Sequence, residues 1–420
     1  MPSAEPSPAQ HGRVVALDGL RGLAILSVML FHQNAMIPAT AFDRELNRLA
    51  VVLGSGVDLF FVLSGFLITG ILYDAKGAAH YYRNFYVRRL LRIVPLYYAV
   101  LFAALVVLPC FPHPKLEKWN FLHGFDQVWY WLFLSNWSMA LKTGGFRHGV
   151  IDLSWSLSIE EQFYLLWPLV VGWLDRRSLV RVCMALVVVG LGTRLAVVLA
   201  GAPLVWATLL TPARVDTLAI GAWIALAARG GSGIAPLVPA ARRVAVLAAA
   251  CVLGLYAGPG DAKLLAFLKP TVGPSVLAVL YGALLVLAAG NQSRGLVARM
   301  LSHRGLVLFG VYSYALYLFH NPIQAVIRDT LFRPAQFPTL FGSPLPGQLL
   351  FCIVATLPAL GCAWLSWRLF EGPILSLKRY FPARAAPAPY DGQGRERVRS
   401  VPPLALEAAE PGKFSQAIDR

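Results

Sequence analysis

Apolar stretches of 18 to 25 residues recur along most of this chain, separated by short polar loops. Each is close to the roughly 20 residues that an α-helix needs to cross about 30 Å of hydrocarbon. An all-α polytopic membrane protein is therefore expected. Composition agrees: charged residues make up 14% of the 420 positions, against about 25% in an ordinary soluble domain. The formal net charge of +16 would suggest nucleic-acid binding in a soluble protein. Here the Lys and Arg residues sit mostly in loops between apolar runs, which is a topology signal, and no nucleic-acid partner is expected.

About ten transmembrane helices are predicted, at 16–37, 51–73, 93–111, 154–174, 180–200, 205–228, 244–259, 271–290, 305–327 and 348–370. A shorter Trp-rich patch, Val128 to Met139, suits the membrane interface or a re-entrant segment. With the N-terminus inside, the inner loops 74–93, 175–181, 229–243 and 291–304 hold 14 Lys and Arg in 56 residues, and the outer loops hold 10 in 90. That bias predicts both termini in the cytoplasm, and a multi-pass protein of the inner (plasma) membrane is expected. The first apolar run carries Asp18, Arg21 and His32, so it reads as a retained helix and not a cleaved signal. The five cysteines form no C-x-x-C pair and signal neither a disulfide framework nor a metal site. From Pro382 onward, six prolines and nearly balanced charges predict a disordered tail. The expected division is a membrane domain over 14–376 and a cytoplasmic tail over 377–420.

A charged side chain inside a span costs about 2.5–3.5 kcal/mol at the bilayer centre on insertion scales, so each one is a functional candidate. They are Asp18, Arg21, His32, Asp58, Glu160, Glu161, Arg194, Arg214, Asp216 and His320. Arg21 and His32 are eleven residues apart, about three turns, which puts them on one helix face some 16 Å apart. Arg21 near the inner surface either snorkels to the headgroups or binds an anion. Ser156, Glu160 and Tyr164 recur at i, i+4 and i+8 and stack on one face, with Glu161 turned about 100° away.

The run LDGLRGLAILSVMLFH, ending at His32, resembles the first-helix signature of the membrane-bound acyltransferase family 3. So does GVDLFFVLSGFLITGIL (Gly56 to Leu72). The similarity continues through FYVRRLLRIVPLYY (Phe85 to Tyr98), WSLSIEEQFYLLWP (Trp155 to Pro168), RVDTLAIGAW (Arg214 to Trp223), SYALYLFHNPI (Ser313 to Ile323) and WRLFEGP (Trp367 to Pro373). Any one motif is weak, but seven in family order are specific.

The resemblance implies acyl transfer, with an acetyl group expected, from cytoplasmic acyl-CoA to a hydroxyl of a glycan or lipid-linked sugar. No permanently bound cofactor or metal is implied; acyl-CoA, most simply acetyl-CoA, is the co-substrate. The family's Arg-x-x-Arg element falls on Arg89 and Arg92, which with Arg21 are the candidate ligands for the CoA phosphates. Plain positive-inside anchoring is the competing account of Arg88, Arg89 and Arg92. His32 and Glu160 are the candidate catalytic residues, a carboxylate bonded to the imidazole fixing its tautomer. His320 either binds acceptor, acts as a second base or packs. Glu161, Ser156 and Tyr164 are candidate supports, as are Arg214 and Asp58, which are expected to pair with each other. Glu371 is expected near Arg89 or Arg92. Only 49 residues follow Glu371, so a stand-alone member without an appended hydrolase-like domain is expected, with the outer loop 112–152 as the acceptor's lid. Two alternatives stay open: the same chemistry on a small cytoplasmic acceptor such as an antibiotic sugar, and a non-enzymatic lipid or glycan transporter.

Overall fold

The computed structural model describes residues 14–110, 124–147, 149–258, 262–290 and 295–382. The principal helices are α1 (Val15–His32), α2 (Ala41–Ala50), α3 (Gly56–Asp74), α4 (Tyr81–Phe102), α5 (Ser154–Trp173), α6 (Arg176–Leu199), α7 (Val215–Ala228), α8 (Val238–Ala257), α9 (Lys263–Thr271), α10 (Gly273–Gly290), α11 (Arg304–Val311), α12 (Ser313–Thr330) and α13 (Leu345–Ser366). No strand occurs among the described residues. The protein is an all-α polytopic membrane protein.

Among the described residues, seven helical stretches are long and apolar enough to cross a membrane, and eight if α11 and α12 count as one span bent by 80°. Two of the ten predicted spans fall outside that set, each for a physical reason. The first, α5, is 20 residues long, but Glu160, Glu161, Gln162 and three serines lower its hydropathy. The second is broken into Trp206–Leu209, the turn Thr211–Ala213 and α7, because Pro212 cannot donate to a continuing helix. Only 14 residues remain in α7. Most of them are buried, so protein surrounds this helix instead of lipid.

Glycines set the closest helix contacts. A Cβ at Gly65 on α3 would lie 1.9 Å from the Leu218 carbonyl oxygen on α7, and one at Gly221 would lie 2.0 Å from that of Val62. Gly22 on α1 and Gly310 on α11 are in the same position, each 1.8 Å from a backbone oxygen across the contact. Small residues permit such approach where no water-driven force holds helices together. Gly19 and Gly22 of the LDGLRG motif and Gly65 of the SGFLITG motif are thus packing surfaces.

Three predicted features shift. The helix α4 starts twelve residues before the predicted 93, so Arg88, Arg89 and Arg92 lie two to three turns inside it and not in a loop. The patch Val128–Met139 forms short turns folded into the bundle, with Tyr130, Ser135, Asn136 and Met139 buried; Asn136 donates to the Leu209 carbonyl at 2.9 Å. Within the expected tail, Leu377–Tyr380 is a 3₁₀ turn, and Arg88 donates to the Lys378 and Phe381 carbonyls at 3.2 and 3.0 Å. The tail from 383, and residues 112–123 and 148 of the expected lid, lie outside the described residues.

Basic residues of different loops meet at one end of the bundle. Arg229 pairs with Asp74 at 2.7 Å, Lys76 donates to the Leu174 carbonyl at 2.6 Å and Arg176 to that of Leu226 at 3.0 Å. Nearby, Asp175 caps α6; the Ser178 hydroxyl and the backbone N–H groups of Arg177 and Ser178 hold its carboxyl below the usual range.

Candidate active site

A cavity of about 200 Å³ opens at this basic end between α3, α4, α5 and α12. It follows α3 from Ala75 to Val57, which at 1.5 Å per residue is about 27 Å, nearly the thickness of the hydrocarbon. Arg88 and Lys378 line its mouth, and Arg21, Arg89 and Arg92 line its wall. Arg21 bonds Asp18 at 3.1 Å. Arg89 and Arg92, in contrast, have no hydrogen bond or ion pair among the described residues. Arg89 instead rests 5.4 Å from the Tyr164 ring centroid and 5.9 Å from that of Phe85. The expected neighbour Glu371 acts on Arg92 through space and accepts from the Ser366 hydroxyl at 3.1 Å. Two guanidiniums facing a cavity, with no hydrogen bond spent among the described residues, present it with a wall of cationic donors.

Ser156, Glu160 and Tyr164 all face this cavity, as their four-residue spacing on α5 dictates. Ser64 on α3, a residue that sequence reasoning passed over, hydrogen-bonds both the Glu160 carboxylate and the Tyr164 hydroxyl. One turn on, the Ser156 hydroxyl meets that of Tyr317 at 2.6 Å, and Tyr317 donates to the Leu153 carbonyl at 3.0 Å. Phe60 stacks edge-on against Tyr317 with centroids 6.2 Å apart, and these two rings form the deep end of the cavity.

Behind Tyr317 stands an imidazole pair. His320 lies with its ring centroid 6.1 Å from that of Tyr317 and is fully buried. Its Nε2 is 3.2 Å from Nδ1 of His32. Hydrogen positions follow from the carbonyls, which only accept. The Leu316 carbonyl is 2.9 Å from His320 Nδ1, so that nitrogen carries the proton and His320 Nε2 is an acceptor. His32 Nδ1, 3.0 Å from the Val28 carbonyl, is then also protonated, its N–H shared between Val28 and His320. The lone pair of His32 is left on Nε2, which has no partner among the described residues. The expected bond from Glu160 to His32 is absent among the described residues, because Glu160 faces the arginine wall and His32 turns to α12.

The remaining candidates stand apart. Asp58 pairs with Arg214, whose guanidinium also lies 5.8 Å from the Phe61 ring centroid. Arg194 and Asp216 form a two-pronged pair at 3.0 and 2.8 Å, fully buried. Glu161 is turned away toward Tyr97, Tyr98 and Tyr314, with Oε1 unpartnered among the described residues. No group of three His, Cys, Asp or Glu side chains is placed to hold a metal among the described residues.

Fold and site define a multi-helix membrane protein with a deep cavity onto which several cations, Arg89 and Arg92 among them, open. Within that class the chain belongs to the family described as the acyltransferase domain, matched over residues 14–368. It is 28% identical over 386 residues to the peptidoglycan O-acetyltransferase OatA of Listeria monocytogenes, covering 86% of this chain and 56% of that protein. It is 28% identical over 380 residues to the O-acetyltransferase OatA of Staphylococcus aureus, covering 85% and 56%. A putative peptidoglycan O-acetyltransferase of Bacillus subtilis, YrhL, is 36% identical over 182 residues, 41% of this chain and 26% of that protein. The chain thus spans little more than half the length of the OatA relatives. No solved structure matches it.

Proposed function

We propose that the protein is an O-acyltransferase of the inner (plasma) membrane that moves an acetyl group from cytoplasmic acetyl-CoA to a hydroxyl of a glycan. One observation carries this reading: a cavity walled by the unpaired Arg89 and Arg92 ends, about 27 Å along α3, at the tyrosine that backs the imidazole pair. Arg89, Arg92 and Arg21 take the CoA phosphates, and the pantetheine arm lies along the apolar face of α3. The relatives' names supply the glycan, since the Listeria protein is called a peptidoglycan O-acetyltransferase. The Lys and Arg bias of the loops supplies the direction, with the cavity mouth in the cytoplasm.

In the reaction, His32 Nε2 accepts the proton of the acceptor hydroxyl as its oxygen attacks the thioester carbonyl. The C–S bond breaks, CoA leaves as thiolate, and His32 returns the proton to sulfur. His320 holds the His32 tautomer and stabilises the transient imidazolium through its Nε2 lone pair. Glu160, held by Ser64, balances the charge of the arginine wall.

Orientation-sorted proteoliposomes with acyl-labelled acetyl-CoA and an acceptor glycan test this. Free CoA is expected on the arginine side together with labelled ester. His32→Ala is expected to lower turnover by about 10²–10⁴-fold with CoA affinity kept. Near wild-type turnover in that variant would remove His32 from the mechanism. Intact acetyl-CoA accumulating across the membrane, with no CoA released, would establish a transporter.

A further inference from the structure

One turn beyond His320 on α12 lies Gln324, a side chain that the chemistry above does not use. It is 4% exposed, and its Oε1 has no hydrogen-bond partner among the described residues. Neighbouring groups fix which amide atom this is. The Gly149 carbonyl accepts from Asn321 Nδ2 at 3.1 Å, so Asn321 presents its Oδ1 to Gln324, which donates from Nε2 at 2.9 Å. Flipping either amide would set like groups against each other, so the free atom is an acceptor. Native structures satisfy nearly all such atoms, and an exception calls for an explanation, of which a donor supplied by a bound ligand is one.

The location identifies that donor. Residues four apart on a helix share a face with their Cβ atoms about 5–6 Å apart, and on this face His320 meets His32. The adjoining Ile323 packs on the same apolar cluster as Ala35, just past the end of α1. That end of α1 is itself held by one amide: Gln348 accepts from the Ala35 N–H at 2.9 Å and donates to the Gln33 carbonyl at 2.8 Å. The end of α1 that carries His32 is therefore fixed in register against the stretch of α12 that carries His320 and, one turn on, Gln324.

We infer that Gln324 is an acceptor-binding residue: its Oε1 takes a hydrogen bond from an O–H or amide N–H of a sugar while His32 deprotonates a neighbouring hydroxyl. This rests on the acyl-transfer reading and names a contact within it. A sugar bearing hydroxyls and an N-acetyl group supplies such donors at fixed spacing, which a hydrocarbon chain does not.

The test uses the full chain in proteoliposomes, labelled acetyl-CoA and a β-linked pentamer of N-acetylglucosamine as acceptor. Gln324→Leu, and Gln324→Met as a second variant nearer to glutamine in length, are expected to raise the KM for the pentamer about ten-fold, the loss of one neutral hydrogen bond. CoA affinity and kcat should stay within about two-fold of wild type. Thermal stability should change little, since the lost hydrogen bond to Asn321 is offset by the removal of a buried polar atom without a partner. A structural role for Gln324 predicts the opposite: lower stability, with donor and acceptor constants moving together. That result, or an unchanged acceptor KM in both variants, overturns the proposal while leaving acyl transfer standing. Absence of transfer by the wild type to the pentamer, to peptidoglycan fragments and to small amino sugars would instead bring down the acyl-transfer reading and this contact with it.

Discussion

Arg194 and Arg214 lie within the same helical bundle as Arg89 and Arg92, yet the two sets meet different surroundings. Arg194 is fully buried with five acceptor contacts: both Asp216 oxygens, the Ser275 hydroxyl and the Ala213 and Thr271 carbonyls. Arg214 has Asp58. Each cation in this group is answered by a carboxylate on another helix, which ties α6 to α7 and α3 to α7. Arg89 and Arg92 are bonded to no carboxylate among the described residues; Glu160, Glu161 and Glu371 act on them only through space, and both face a cavity. Leaving charges unmatched in a low-dielectric setting is expensive. A bundle able to match two arginines elsewhere keeps two open where an anion can reach them. Matched charges hold helices together, and unmatched ones are left free to meet a ligand.

The largest effect should come from unmatching the matched group. Asp216→Ala would leave Arg194 buried without its counter-charge, a change that costs about 3–5 kcal/mol. Thermal denaturation in detergent should show a sharply lowered midpoint, and little folded protein should be recovered. Arg194 also has two backbone carbonyls as partners, and they cannot supply a negative charge. If Asp216→Ala is as stable as wild type, the pair is not what fastens α6 to α7.

Next comes the unmatched group, where the effect should appear in binding and not in stability. Arg89→Ala and Arg92→Ala each remove charge-assisted contacts to phosphate of about 1.5–3 kcal/mol, or roughly 10- to 150-fold in affinity for CoA. Isothermal titration with free CoA reads this directly. The melting point should hold or rise, because a half-buried cation bonded to no partner has been removed. Lys should restore part of the affinity, as a point charge without the planar fork. Unchanged CoA affinity in both variants, with lowered stability, would make these arginines anchors like the others and erase the contrast.

The sequence made part of this contrast visible. Charges inside apolar runs stand out against their surroundings, so Asp58, Arg194, Arg214 and Asp216 could be named from the chain; Arg89 and Arg92 were marked by their resemblance to the family's Arg-x-x-Arg element, and the helical repeat alone put Ser156, Glu160 and Tyr164 on one face. Whether a given arginine is answered depends on which helices touch, and periodicity carries no such information. His32 illustrates this: its partner His320 is 288 positions away, while the nearer candidate, Glu160, turns to the arginine wall. Hydropathy also hid the breaks before α7 and between α11 and α12, since an apolar run reads the same whether its axis is straight or bent. The basic start of α4 read as loop because Arg88, Arg89 and Arg92 are hydrophilic. They are helical because the face they occupy borders a cavity, not lipid. Gln324 gave no signal, as an uncharged amide near the end of a helix is commonplace until its neighbours show which atom is left unpaired.

The smallest effect is expected where both halves of a matched pair are replaced together. Asp58 and Arg214 were candidates for the site on sequence grounds, and neither lines the cavity, although Val57 and Phe61 beside Asp58 do. Removing either one alone strands the other charge. Removing both, as Asp58→Leu with Arg214→Met, exchanges an ion pair for apolar groups of similar volume, which in other buried pairs is neutral or stabilising by about 1–4 kcal/mol. Here the exchange also eliminates Arg214 Nε, a buried donor with no partner among the described residues. The double variant should therefore melt at or above the wild-type temperature, while each single variant melts well below it. CoA affinity should be unaltered throughout, because the arginine wall is intact. A double variant that folds but no longer binds CoA would mean that Arg214 and Asp58 belong with the unmatched group, and that pairing in the resting protein does not tell a fastening charge from a binding one.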